Sequence, residues 1–250
     1  SNLMSGANID SMSFDDTYAE VKEANEMFKS KIGFIPEYIR PKNGKTNKFI
    51  SDIAKHTKQI AMTYSNNPLD KNMISASQIS ELVVGKIRKG DIIILNGDTN
   101  KEVSKAVALI NDGLNKKGFK LVSFKELYNS PKYIEGTVKI SKPETVKANF
   151  DKASVKEAEI KEQTVVEPDV SYSRDVFSYA RTTAKKVALT FDGIGDDEMV
   201  NNILSSLEKS NIKATFFIPT SKINDNKELI LKIKNKGHEI GLNTSSKAGA

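Results

Sequence analysis

From Ser13 to about Phe124 the chain alternates amphipathic helical patterns with short apolar runs, the rhythm of βα units around a parallel sheet. The first predicted helix opens at Ser13, with Asp16 three residues on. It carries Phe14, Tyr18, Val21 and Phe28 on one face and stops at Gly33. A strand at Tyr38 to Arg40 is followed by a helix with Phe49, Ile50 and Ile53, then a strand from Gln59 to Tyr64. A helix bearing Ile79, Leu82, Val83 and Ile87 runs to Gly90. Asp91 to Leu95 is apolar throughout its core, as a strand buried on both faces must be. Thr99 with Glu102 predicts a capping box for a helix bearing Val103, Ala106, Val107, Ile110 and Leu114, closed by Gly118, and Leu121 to Phe124 predicts a strand.

The rhythm breaks from about Asn129 to Ser173, where Pro131, Pro143 and Pro168 lie among Lys, Glu and Thr. That stretch reads as a linker with a marginal helix near Val155 to Gln163. The rhythm then resumes, with strands at Val187 to Phe191, Ala214 to Ile218 and His238 to Gly241 and helices at Met199 to Leu207 and Leu229 to Ile233. The resulting division is a first block over 1–128, a linker over 129–173 and a second block over 174–250.

Composition narrows the chemistry. The 250 residues carry 28% charged and 38% hydrophobic residues, and no apolar run approaches the ~20 residues of a spanning helix. The net charge of +6 is spread over lysine-bearing helical faces. Such a surface suits solubility or attraction to anionic wall polymers, and no nucleic-acid partner is expected from it. Cysteine is absent, which excludes disulfides, thiolate metal sites and cysteine nucleophiles. His56 and His238 are the only histidines, so no mechanism needing several imidazoles is available. The first residues, Ser1, Asn2 and Leu3, read as a processed end or a cut from a longer chain.

Three stretches of the second block carry a resemblance. Lys186-Val187-Ala188-Leu189-Thr190-Phe191-Asp192, Lys213-Ala214-Thr215-Phe216-Phe217-Ile218 and Gly237-His238-Glu239-Ile240-Gly241 resemble, in order and spacing, the first three strands of a polysaccharide deacetylase (NodB-homology) domain. The first block is similar to the remainder of such a domain. Tyr38-Ile39-Arg40-Pro41 resembles its arginine-proline motif, and Asp70 sits where its aspartate-tryptophan motif falls. The run from Gly90 to Leu95 leads to the place of its late histidine, and Gly118-Phe119-Lys120-Leu121-Val122-Ser123 resembles its closing strand. The implied fold is α/β, an irregular TIM-like (β/α) barrel of the polysaccharide deacetylase type, present as two part-barrel blocks in reversed order. A window cut from tandem domains is the simplest account of that order; a permuted single barrel and a domain-swapped dimer are the other arrangements.

The resemblance also implies a reaction, metal-dependent hydrolysis of an N-acetyl amide on a cell-wall or chitin-like polysaccharide. In the family a divalent metal such as zinc, held by one aspartate and two histidines, polarises the carbonyl and its water. A second aspartate takes the water's proton, and a later histidine protonates the leaving amine. Here the general-base position is Asp192, but the ligand positions are Gly193, Asn243 and Lys247, and Asn96 stands in place of the acid histidine. The retained positions are Asp192, Arg40 and Asp70; the last two either keep a supporting ion pair or form a surface or partly buried pair. His238 matches a histidine that is not a ligand and is expected in packing, while His56 is expected in solvent. Asp98, Asp196 and Asp197 are candidate oxygen ligands for a hard cation, or solvated loop carboxylates. No cofactor is expected. The reading is therefore an inactive carbohydrate-binding or structural module, extracellular or at the cell surface, whose partner is cell-wall polysaccharide or peptidoglycan. The alternative is an active N-acetylglucosamine deacetylase with a rebuilt metal site or an intact site in another repeat.

Overall fold

The computed structural model describes residues 13–41, 49–70, 75–129 and 176–244. The expected linker helix near Val155 to Gln163 lies outside the described residues. The elements in chain order are α1 (Phe14–Ile32), β1 (Tyr38–Pro41), α2 (Ile50–His56), β2 (Ile60–Ala61), α3 (Ala76–Gly85), β3 (Ile92–Asn96), α4 (Glu102–Lys116), β4 (Lys120–Val122) and α5 (Phe124–Tyr128). After the linker follow β5 (Lys186–Asp192), α6 (Asp197–Lys209), β6 (Thr215–Pro219), α7 (Lys227–Asn235) and β7 (Glu239–Thr244).

All named strand pairings are parallel, and the strands of both blocks share one sheet, in the order β2-β1-β7-β6-β5-β3. The blocks meet in three strand pairings. Tyr38 to Pro41 pairs with Gly241 to Thr244, and Ile92 to Asn96 pairs with Ala188 to Asp192. The lower half of β5 pairs instead with β4, from Lys120 opposite Lys186 to Val122 opposite Ala188. Beyond β2 the chain reaches β3 at the bridge Asn66 to Ile93, so the two edges of the sheet come together.

Alternation along the strands sorts the core into two layers. Ile93, Leu95, Leu189, Phe191, Phe216, Ile218, Ile240 and Leu242 face the helices, where Phe191 stacks on Phe216 with centroids 4.8 Å apart. Tyr38, Ile92, Val122, Ala188 and Phe217 face the other way, with Met62, Phe124 and Leu127. The rows continue upward, so Arg40, Asn96, Thr190, Asp192 and Asn243 extend the inner row at the carboxyl ends of the strands.

Local signals account for most element ends. Ser13 Oγ accepts from Asp16 N–H at 3.1 Å and donates to the Asp16 carboxylate at 2.7 Å, while Gly33, in left-handed backbone, donates back to Phe28 and Lys29. Other expectations change. The capping box from Thr99 to Glu102 does not form, because Thr99 N–H is held by Asn96 Oδ1 at 2.8 Å and Asn100 Oδ1 accepts from Glu102 N–H at 2.9 Å. The helix bearing Ile79 ends at Gly85 rather than Gly90. The strand expected over Gln59 to Tyr64 shortens to Ile60–Ala61, and just past it Met62 makes an isolated parallel bridge to Phe177: Phe177 N–H donates to Ala61 at 2.9 Å and Thr63 N–H donates to Phe177 at 2.8 Å. The strand expected to reach Phe124 ends at Val122, as Ser123 Oγ accepts from Glu126 N–H at 3.1 Å and starts α5. Among the described residues, no helix is long and apolar enough to cross a membrane.

Candidate functional site

Arg40 anchors the carboxyl-terminal end of the sheet. Its guanidinium is fully buried; it donates to Asp192 Oδ1 at 2.8 Å, to the Thr63 carbonyl at 3.1 Å and to Thr190 Oγ1 at 3.0 Å. Thr190 in turn donates to the Ile93 carbonyl at 2.8 Å, and the guanidinium lies 3.9 Å from the centre of the Phe217 ring. Burial pushes the Arg40 pKa down, and the Asp192 carboxylate opposes that push. The Arg40 ion pair is therefore made with Asp192 and joins the two blocks across 152 residues of sequence. Asp192 keeps 18% of its side chain exposed, so its carboxylate is presented at the surface of this end.

Asp70 is buried and its Oδ2 accepts from Asn96 N–H at 2.7 Å, which fixes the top of β3. The Asn96 amide oxygen is committed to its own loop, accepting from Thr99 N–H at 2.8 Å, from Asp98 N–H at 3.4 Å and from the Thr99 hydroxyl. An amide held in that way caps a turn and carries no acidic proton. The loop after β3 is pinned to the loop after β5, since Gly97 N–H donates to Asp192 O and Gly195 N–H to Gly97 O, both at 2.8 Å.

The donor set at this end does not suit a metal held by an aspartate and two histidines. Position 193 has no side chain, and Asn243 offers an amide instead of an imidazole. Lys247 lies outside the described residues. Among the described residues, no group of three His, Cys, Asp or Glu could hold a metal ion. Two buried acceptors there, Asp98 Oδ1 and Asn243 Oδ1, have no hydrogen-bond partner among the described residues. Asp196, a candidate ligand by sequence, instead caps α6, accepting from Met199 N–H at 2.8 Å, and Asp197 is exposed in the first turn of that helix.

The histidines stand apart from this cluster. His56 is exposed, with Nδ1 2.7 Å from Asp52 O and its ring edge-on to Phe14 and Tyr18. His238 is buried just before β7, at the opposite end of the strands, where Nδ1 accepts from Ala214 N–H at 3.2 Å. Burial, with Lys213 and Lys236 nearby and only Glu208 opposing them, pushes its pKa from 6.5 down to about 4. The folded state therefore keeps His238 neutral while the unfolded chain takes up a proton. The stability this confers is complete above pH 6.5 and is lost as pH falls from 6.5 to about 4. Chemical denaturation across that window should show a loss of about 3 kcal/mol that His238→Gln removes.

Residues 179–248 match the polysaccharide deacetylase family. Over 59 residues the chain is 36% identical to a peptidoglycan-N-acetylglucosamine deacetylase of Listeria monocytogenes, an alignment covering 24% of this chain and 13% of that protein. Over 61 residues it is 41% identical to a peptidoglycan-N-acetylglucosamine deacetylase of Bacillus cereus, covering 24% of this chain and 22% of that protein. The matched part is thus a small fraction of either relative's length.

Proposed function

With a polysaccharide deacetylase segment at residues 179–248 as premise, we propose that the two blocks together form one domain of that kind in reversed chain order, and that it binds cell-wall polysaccharide without hydrolysing it. The observation that carries this reading is the buried Arg40–Asp192 ion pair, in which the first block supplies the cation and the second the carboxylate of one cluster. Asp192 remains partly exposed and able to accept from a sugar hydroxyl, while the residues that would hold a metal and protonate an amine have changed type. Without a bound, polarised water, a carboxylate already paired to arginine has little to activate. That the relatives are peptidoglycan-N-acetylglucosamine deacetylases supports a wall polysaccharide as partner and an extracellular or cell-surface location. The same strand pairing made between two copies would give a swapped dimer.

Titration of the full chain with N-acetylglucosamine oligomers or soluble peptidoglycan should show binding. Asp192→Asn should weaken it by about tenfold, the value of one charge-assisted hydrogen bond. Absence of binding to either polymer would refute the carbohydrate reading.

A further inference from the structure

We propose that the carboxylate at this end of the sheet has moved from the loop after β5 to the loop after β3, so that Asp98 and a side chain at position 193 exclude one another. A β-carbon built on Gly193 would lie 2.6 Å from Asp98 Oδ2, 2.8 Å from its Cγ and 3.1 Å from its Cβ. Real β-carbons do not approach other atoms as closely as the first two distances, so the Asp98 carboxyl, whose Oδ1 is buried, would have to turn away while its Cβ stayed in tight contact.

The loops cannot simply separate. The hydrogen bonds from Gly97 to Asp192 and from Gly195 to Gly97, each 2.8 Å, clamp them, and a β-carbon on Gly97 would itself strike the Gly193 carbonyl. Gly193 also has φ +78°, a backbone region that strains any side chain. An aspartate at 193 would therefore meet the Asp98 carboxylate in both volume and charge. Asp98 Oδ1 is buried and has no partner among the described residues, so its acceptor capacity is unspent.

A consequence follows for the lost metal site. Restoring aspartate at 193 alone does not restore a ligand, because its place is taken; Asp98 must go first. Calling this a relocation rests on the reading of residues 192 and 193 as the family's aspartate pair. The test below reads coupling in folding, so it succeeds or fails separately from sugar binding.

Thermal midpoints of the full chain are compared for wild type, Asp98→Ala, Gly193→Asp and the double variant, with Gly193→Ala made in both backgrounds. Backbone strain at 193 is common to both backgrounds and cancels, leaving the pairwise term. Gly193→Asp should lower the midpoint at least about twice as far with Asp98 present as with alanine there, and Gly193→Ala should show the same sign with a smaller difference. Equal drops in the two backgrounds would overturn the proposal. If Gly193→Asp does not fold beside Asp98, a folded double variant supports the proposal. If the double variant also fails to fold, the Gly193→Ala pair decides by the same comparison.

Discussion

Replacing Arg40 with methionine is expected to destabilise the protein by about 3–5 kcal/mol, the range for removing one partner of a buried ion pair. The guanidinium is fully buried, and its loss removes a donor from three acceptors at once: Asp192 Oδ1, the Thr63 carbonyl and Thr190 Oγ1. Methionine restores most of the volume against Phe217 but none of the donors. Lysine keeps the charge yet cannot span three acceptors in one plane, so Arg40→Lys should recover less than half of the loss. Because Arg40 lies on β1 and Asp192 on β5, the pair belongs to the union of the blocks. Urea denaturation of Arg40→Met, Asp192→Asn and the double variant measures it. Additive losses would mean that the pair does not couple the blocks.

An alanine at position 90 is expected to be at least as damaging, by more than about 4 kcal/mol, which places it among the exceptional single substitutions. Gly90 has φ +81°, and a β-carbon there would fall on the Ala180 carbonyl oxygen, a backbone atom that no rotamer change can move. The contact is part of a short seam, with Ala180 N–H donating to Gly90 at 2.8 Å and Gly90 N–H donating to Lys186 at 2.9 Å. That seam ties the run into β5 to the turn before β3, so Gly90→Ala should loosen the second block from the first. Amide hydrogen exchange should show Val187 to Phe191 losing protection; a variant with native protection there would contradict this reading of the seam.

The sequence pattern reveals the elements better than their partners. Ser13, Asp16 and Gly33 bound α1 where their chemistry predicts, since caps act within a few residues and need nothing from the rest of the fold. The capping box at Thr99 fails because a competitor inside the same loop, Asn96, takes the Thr99 amide first. Just past the short strand at Ile60–Ala61 the chain pairs with Phe177, a residue more than a hundred positions away, which no local periodicity can announce. The pairing of β1 with β7 and of β3 with β5 is likewise non-local, and the reversed order of the blocks conceals it.

The candidate site is legible to the same degree. Asp192, Arg40 and Asp70 are visible through the resemblance, but the resemblance leaves open whether the two blocks meet, and the structure gives Arg40 to Asp192. The changes at Gly193, Asn243 and Asn96 are plain in the sequence. The crowding of Asp98 against Gly193 is not, because it depends on how two loops from different blocks interlock. The one available signal was the glycine itself at a position where the resemblance implies a carboxylate.

The central claim is that a sugar-binding face survives here without the means to cleave an N-acetyl group. Its most direct test is acetate release from N-acetylglucosamine oligomers by the full chain supplied with excess Zn²⁺. The account predicts no release above that of Asp192→Asn. Sustained release by the wild-type chain, abolished in that variant, would contradict it.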